Sequence, residues 1–175
     1  MRLFVAILLP DSIRDGLMNA EDVLRRQGDG NFTLRENLHL TLAFLGETSN
    51  LRGAVRAIHA VHAAQLPLTL EKVETIRDLI WMGAEQTPEL LALQNQVSQR
   101  LTEAGFVLED RKFRPHLTIC RRFHQMEKFC PAAVAAACGK QKMMVTKISL
   151  MQSQRYAGRL IYTELAQQAL TIHNK

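Results

Sequence analysis

The first apolar run, Leu3-Phe4-Val5-Ala6-Ile7-Leu8-Leu9, is seven residues long and stops at Pro10, which predicts a buried strand. Behind it Ile13, Leu17, Ala20 and Leu24 recur at spacings of four, three and four. That is the stripe of an amphipathic helix, with Asp11 or Ser12 available as its cap. The polar, glycine-bearing residues 27–31 predict a loop, residues 32–35 a short strand and residues 38–45 a longer one. Gly46-Glu47-Thr48-Ser49-Asn50 reads as a turn that can also cap a helix whose apolar face is Leu51, Val55, Ile58 and Val61 or His62. Strands are expected over 68–75 and 79–83. Thr87-Pro88-Glu89 then opens a helix with a capping hydroxyl and a proline at the first helical position. Leu90, Leu93, Val97, Leu101 and Ala104 trace its stripe to Gly105. Residues 106–108 and 115–121 read as strands, Pro115 suiting a strand's first residue, where its missing N–H costs little. Residues 125–142 carry no period that assigns them, and 131–138 fit a short helix or a surface loop. Residues 142–152 and 160–165 close the chain as strands.

The order strand, helix, strands, helix, strands, helix, strands describes an α+β chain and not a doubly wound sheet. No Gly/Ser/Pro-rich linker divides it, so residues 1–175 read as a single domain. Within this pattern one phrase occurs twice, His39-Leu40-Thr41-Leu42 and His116-Leu117-Thr118-Ile119, 77 positions apart. On a strand successive side chains alternate between faces, so His and Thr share one face and the two apolar residues the other. Two such strands, each preceded by a helix, suggest a duplicated lobe. Two lobes facing each other would gather two imidazoles and two hydroxyls in one cleft.

Composition alters this picture little. Hydrophobic residues make up 47% and charged residues 22%, ordinary values for a globular protein. The net charge of +5 favours an anionic partner such as RNA or a nucleotide, and Arg111, Lys112, Arg114, Arg121 and Arg122 cluster around the second phrase. Three cysteines without a CxxC argue for reduced thiols and a cytoplasmic protein. No segment reaches the length of a membrane span, and the N-terminal run lacks a small-residue cleavage site.

The chemistry suited to the two phrases is acid–base work on a phosphodiester. One imidazole removes a proton from water while the other protonates the departing alkoxide, both roles being open to a group that titrates near neutrality. Threonine hydroxyls and guanidinium groups can hold the non-bridging oxygens. The scheme requires no metal and no cofactor, and no Asp/Glu/His cluster of a dimetal site surrounds the histidines.

Asn37-Leu38-His39-Leu40-Thr41-Leu42-Ala43-Phe44-Leu45-Gly46-Glu47 and Phe113-Arg114-Pro115-His116-Leu117-Thr118-Ile119 resemble the paired motifs of the two-histidine (2H) phosphoesterases. Within them the chain is most similar to the bacterial RNA 2′,3′-cyclic phosphodiesterases, historically called 2′-5′ RNA ligases. The opening run Leu3–Ile7 with Leu9-Pro10, and the stretches 150–153, Gly158 and 162–165, extend the likeness over nearly the whole chain. The resemblance implies a bilobal α+β fold of pseudo-two-fold symmetry, two antiparallel sheets lining a central cleft with helices outside. It implies hydrolysis of RNA or nucleotide 2′,3′-cyclic phosphate ends to 2′-phosphates, with His39 assigned as general acid and His116 as general base, a pairing that the cleft's symmetry would permit in reverse; nothing in the sequence requires more than a monomer. Thr41 and Thr118 match phosphate-contacting hydroxyls, and Arg121 matches a basic residue after the second motif. The alternatives are a ligase joining a 2′,3′-cyclic phosphate to a 5′-hydroxyl, and an RNA-end-binding module without turnover.

Parity sets two of these residues at odds. Alternation from His116 puts Cys120 on the cleft face and Arg121 on the other, so the guanidinium reaches the cleft only if the strand ends, twists or bulges. Arg114 has the right parity and competes with it as a phosphate ligand. Phe44 has core parity and is expected to pack there, with base stacking at the strand's end as the alternative. Trp81 is expected in the core or the cleft wall, His59 and His62 on a solvated face, and His124 and His173 carry no functional expectation.

Overall fold

A computed structural model describes residues 1–126 and 128–172; His173 lies outside the described residues. Among the described residues nine strands form two antiparallel sheets. The first strand, β1 (Arg2–Leu8), leads into α1 (Asp11–Arg25), then β2 (Gly28–Phe32), one turn of 3₁₀ helix (Arg35–Asn37), β3 (His39–Glu47) and α2 (Leu51–His59). There follow β4 (Leu66–Ile76), β5 (Leu79–Ala84), α3 (Pro88–Glu103), β6 (His116–Gln125), α4 (Pro131–Cys138), β7 (Lys142–Val145), β8 (Lys147–Tyr156) and β9 (Arg159–Ala169). The strand orders are β3-β1-β8-β9 and β2-β6-β5-β4-β7, so each phrase lies on a strand of a different sheet. This is the expected α+β arrangement. Among the described residues no helix is long and apolar enough to cross a membrane.

The helical stripes pack as their spacing predicts. Ile13, Leu17, Ala20 and Leu24 of α1, and Leu90, Leu93, Val97 and Leu101 of α3, are buried in one cluster with the inner faces of both sheets. Thr87 caps α3 by accepting from the Leu90 N–H at 3.2 Å, and Asn50 caps α2 by accepting from the Gly53 N–H at 2.9 Å. At α1 the expectation fails: Pro10 occupies the cap position, and no side chain caps the helix. Residues 131–138 form the short helix of the two options, held by buried Val134 and Cys138.

Four other expectations are corrected. Residues 27–31 are mostly strand β2 and not a loop. The glycines that suggested a loop are there for close approach: a Cβ on Gly28 would meet the Phe123 ring at 2.3 Å, and one on Gly30 the Cys120 sulfur at 2.6 Å. The short strand therefore ends at Phe32 instead of filling 32–35, and Arg35 already lies in the 3₁₀ turn. Residues 106–108 form no strand, because the Phe106 N–H donates back to the Leu101 carbonyl and Gly105 turns at φ +89°, closing α3. Residues 142–152 are two strands, β7 pairing with β4 and β8 with β1, so the chain changes sheets at Thr146. An unbroken apolar-polar pattern cannot reveal such a change.

The first sheet curls. Asn37, at the entry to β3, donates from its side-chain amide to the Leu160 carbonyl on β9 at 2.8 Å, joining the two outer strands of that sheet.

Candidate active site

Both imidazoles are held alike. His39 Nδ1 lies 2.7 Å from the Asn37 carbonyl, and His116 Nδ1 lies 2.7 Å from the Arg114 carbonyl, each two residues upstream. A carbonyl only accepts, so each Nδ1 carries a proton and each Nε2 is left for chemistry. Thr41 Oγ1 is 2.9 Å from His39 Nε2. His116 Nε2 has no protein partner among the described residues. Each ring also lies on an aromatic side chain of the neighbouring strand. Phe4 of β1 is 4.9 Å from His39 between ring centroids, and Trp81 of β5 is 4.6 Å from His116. Tyr162 closes over His39 edge-on at 5.1 Å. Trp81 is buried against His116 and is not among the residues that line the cleft, so of the two places expected for it, it takes the core.

His39, His116, Thr41, Thr118 and Arg121 all line one cleft of about 740 Å³. Sequence parity alone does not account for Arg121; two bulges do. On β3, Thr41 pairs with Ala6 and Ala43 with Val5, which leaves Leu42 as an extra residue. On β6, Thr118 pairs with Trp81 and Cys120 with Ile80, which leaves Ile119 as an extra residue. An extra residue reverses the alternation beyond it. Leu42 and Ala43 are accordingly both buried, as are Ile119 and Cys120. Phe44 and Arg121, next in line, turn into the cleft.

Three side-chain expectations change as a result. Cys120 faces the core and not the cleft, and burial pushes its thiol up to about 11. Phe44 is not core: the residue is 54% exposed and lines the cleft. Arg114 is exposed and is not among the residues that line the cleft, so its backbone carbonyl on His116 is its contribution there. His59, His62 and His124 are exposed. Among the described residues no group of three or more His, Cys, Asp or Glu gathers to hold a metal ion.

Residue-by-residue reading of the sequence missed Asn37, Phe4 and Tyr162, and placed Phe44 in the core ahead of the cleft side that it takes. The bulges did leave a trace, the apolar runs Leu42-Ala43-Phe44-Leu45 and Ile119-Cys120 that break the alternation. Asn37 and Tyr162 left none, since both depend on the curl that brings β9 over the start of β3.

Burial lowers the pKa of His39, opposed by its bond to the Asn37 carbonyl and reinforced by the positive charges of Arg121, His116 and Arg14. The surroundings of His39 therefore disfavour its imidazolium form, and an anion bound beside Arg121 would offset part of that field.

The family model of the 2′-5′ RNA ligase superfamily matches residues 9–157. A protein named RNA 2′,3′-cyclic phosphodiesterase from Escherichia coli K12 is 31% identical over 97% of both chains. One of the same name from Archaeoglobus fulgidus is 32% identical over 69% of this chain and 72% of its own. Among solved structures, E. coli LigT without ligand superimposes with a TM-score of 0.81 at 30% identity, covering 97% of both chains. LigT complexed with 3′-AMP superimposes with 0.77 at 29% identity, also over 97% of both.

Proposed function

The chain belongs to the 2′-5′ RNA ligase superfamily, and from that membership we propose that its cleft hydrolyses 2′,3′-cyclic phosphate ends of RNA or nucleotides to 2′-phosphates. The observation that carries the reading is the pair of imidazoles, both tied by Nδ1 to a carbonyl, with Arg121 on the same cleft wall.

His116 acts as general base. Its Nε2 is unpartnered, so it takes a proton from the attacking water. The water oxygen bonds to phosphorus, and the bond to the 3′ oxygen breaks. His39 acts as general acid, its Nε2 proton passing to that leaving oxygen. A phosphate anion beside Arg121 draws a proton onto His39, and a buried imidazolium of lowered pKa is a stronger acid toward an alkoxide. Arg121, Thr41 and Thr118 hold the non-bridging oxygens as charge builds on them. The scheme needs no metal, because the acid and the base are both supplied by imidazoles.

A ribose hydroxyl in place of water would make the same steps a 2′-5′ ligation. Water at about 55 M outcompetes an alcohol that is not held in place, which favours hydrolysis. Both sides of the cleft come from one chain, so we read the protein as a single-domain monomer. Its free thiols, Cys130 exposed among them, support a reducing, cytoplasmic setting.

The test is a short RNA ending in a 2′,3′-cyclic phosphate, incubated with the protein in EDTA, with the product end read by phosphorus NMR. A 2′-phosphate is expected. A 3′-phosphate would reverse the regiochemistry, and no product from folded protein would overturn the reading. The two roles separate with a substrate whose 3′ oxygen is replaced by sulfur, a leaving group that needs no acid. It should restore the His39→Ala variant and not His116→Ala; rescue of His116→Ala instead would exchange the roles.

A further inference from the structure

Among the described residues three polar side chains are buried, those of Glu21, Asn37 and Ser149. Asn37 is the one beside the histidine pair, 5% exposed and two residues ahead of His39. An amide withdrawn from water costs free energy unless it is hydrogen-bonded, and this residue makes three such bonds. Its backbone N–H donates to the Leu34 carbonyl at 2.8 Å, and its side-chain amide donates to the Leu160 carbonyl at 2.8 Å. Its own carbonyl accepts from His39 Nδ1 at 2.7 Å.

Asn37 ends the 3₁₀ turn, and β3 begins only at His39, so no strand ladder fixes the carbonyl that orients the imidazole. The second half of the cleft meets the same need differently. There Pro115 stands between the supporting carbonyl of Arg114 and His116. Its ring fixes φ and restricts the residue before it, and its own carbonyl accepts from the Ala84 N–H at 3.0 Å. The matching position in the first half is Leu38, whose backbone carries no such restriction. What the proline ring does within the chain for His116, the Asn37 amide does across space for His39, through a bond to a residue 123 positions further on.

That bond reaches beyond the carbonyl. Leu160 is two residues before Tyr162 on β9, an edge strand, and Tyr162 lies edge-on to both His39 and Phe4, at 5.1 and 5.0 Å between centroids. Anchoring β9 at Leu160 therefore holds the ring that covers His39 as well as the carbonyl that orients it. Burial is the largest cause of the lowered His39 pKa, and Tyr162 supplies part of that burial.

We propose that the Asn37 side-chain amide is a positioning group for the general acid: by clamping β9 to the entry of β3 it keeps the Asn37 carbonyl on His39 Nδ1, so that the proton delivered to the leaving oxygen departs from Nε2. This rests on the cyclic phosphodiesterase reading with His39 as its acid. Asn37 acts through His39 and not on the reacting atoms.

Asn37→Leu keeps the branching of the side chain and removes its donor. Asn37→Ala serves as the second variant should leucine disturb the packing, and a thermal melt checks both. On a cyclic phosphate with its normal 3′ oxygen, kcat should fall by on the order of 10–10² with KM nearly unchanged, the cost of a misplaced catalytic group. On the substrate whose 3′ oxygen is replaced by sulfur, which needs no acid, the same variants should regain near-wild-type turnover. An equal loss on both substrates, or none on either, overturns the proposal, since a purely structural defect does not depend on the leaving group. His39→Ala run beside them separates the two readings. If sulfur fails to rescue it, the acid assignment fails by itself, and nitrogen NMR of the imidazoles decides the role of Asn37 without turnover. Neutral His39 in the wild type should be the Nδ1–H tautomer. In the variants both tautomers should appear, and the titration midpoint should rise toward the ordinary histidine range as the cover is lost. His116, tied to a different carbonyl, should keep its signals. A His39 whose tautomer and midpoint are indifferent to the substitution overturns the proposal.

Discussion

Phe44 and Arg121 occupy matching places in the two halves of the cleft, each five residues past its motif histidine and just beyond a bulge. The backbone treats them as equivalents, yet one is a phenyl ring and the other a guanidinium. The histidines, threonines, bulges and supporting carbonyls repeat, and the two halves of the cleft differ at this pair. Arg121→Ala should cost about 10²–10³ in kcat, because it removes charge stabilisation from the transition state. Phe44→Ala should chiefly raise KM, by roughly tenfold on the scale of a lost stacking contact. Steady-state kinetics on a cyclic-phosphate dinucleotide separate the two outcomes.

His39→Ala and His116→Ala should each lower the rate by on the order of 10²–10⁴ with the thermal melt retained. Thr41→Ala and Thr118→Ala should cost less, since each removes a neutral hydroxyl. Near-wild-type turnover by either histidine variant would exclude paired acid–base catalysis.

In the free protein His39 should titrate below the usual histidine range, as followed by its imidazole NMR signals. Arg121→Ala removes a nearby positive charge that disfavours the imidazolium, so its midpoint should move up. Addition of a nucleoside 2′-monophosphate should move it in the same direction in the wild type. A midpoint indifferent to both would remove the electrostatic link between the guanidinium and the acid.

Behind the second sheet, Glu21 on α1 is fully buried, its carboxylate 3.6 Å from Arg25 and without a hydrogen-bond partner. Burial raises its pKa to about 8, against the pull of Arg25. Between the unfolded value near 4.5 and about 8 the folded protein thus binds the extra proton. Stability contributed by that proton is fully present below the lower value and is lost as pH rises through the upper one. Urea unfolding should show stability falling by a few kcal/mol from pH 5 to pH 8, at 1.36 kcal/mol per shifted unit discounted for relaxation of the site. Glu21→Gln should flatten that slope; an unchanged slope would place the titration elsewhere.

Iodoacetamide at neutral pH should label Cys130, which is exposed, and spare Cys120 and Cys138, whose buried thiols are both raised to about 11. Peptide mapping after brief labelling checks this. Rapid modification of Cys120 would contradict its place behind the β6 bulge.

Where the sequence was legible, it was legible through periodicity. The spacing of Leu90, Leu93, Val97 and Leu101 requires a buried helical stripe whatever lies against it, and His-x-Thr on a strand requires a shared face. Where it misled, a residue's role depended on something remote in the chain. Gly28 and Gly30 resemble loop residues until Phe123 and Cys120 fill the space their side chains would need. Arg114 and Arg121 are both basic neighbours of His116, and only the extra residue at Ile119 turns the second toward the cleft.

From the sequence alone come the α+β order of elements, the two facing His-Thr strands and the acid–base chemistry they suit, because these rest on local alternation and on side-chain pKa. Tertiary structure decided which guanidinium faces the cleft, that Phe44 leaves the core, that Tyr162 closes over His39 and that Asn37 ties β3 to β9. Those outcomes follow from bulge register and sheet curl, which are set by pairing between segments far apart and are not encoded in any one of them.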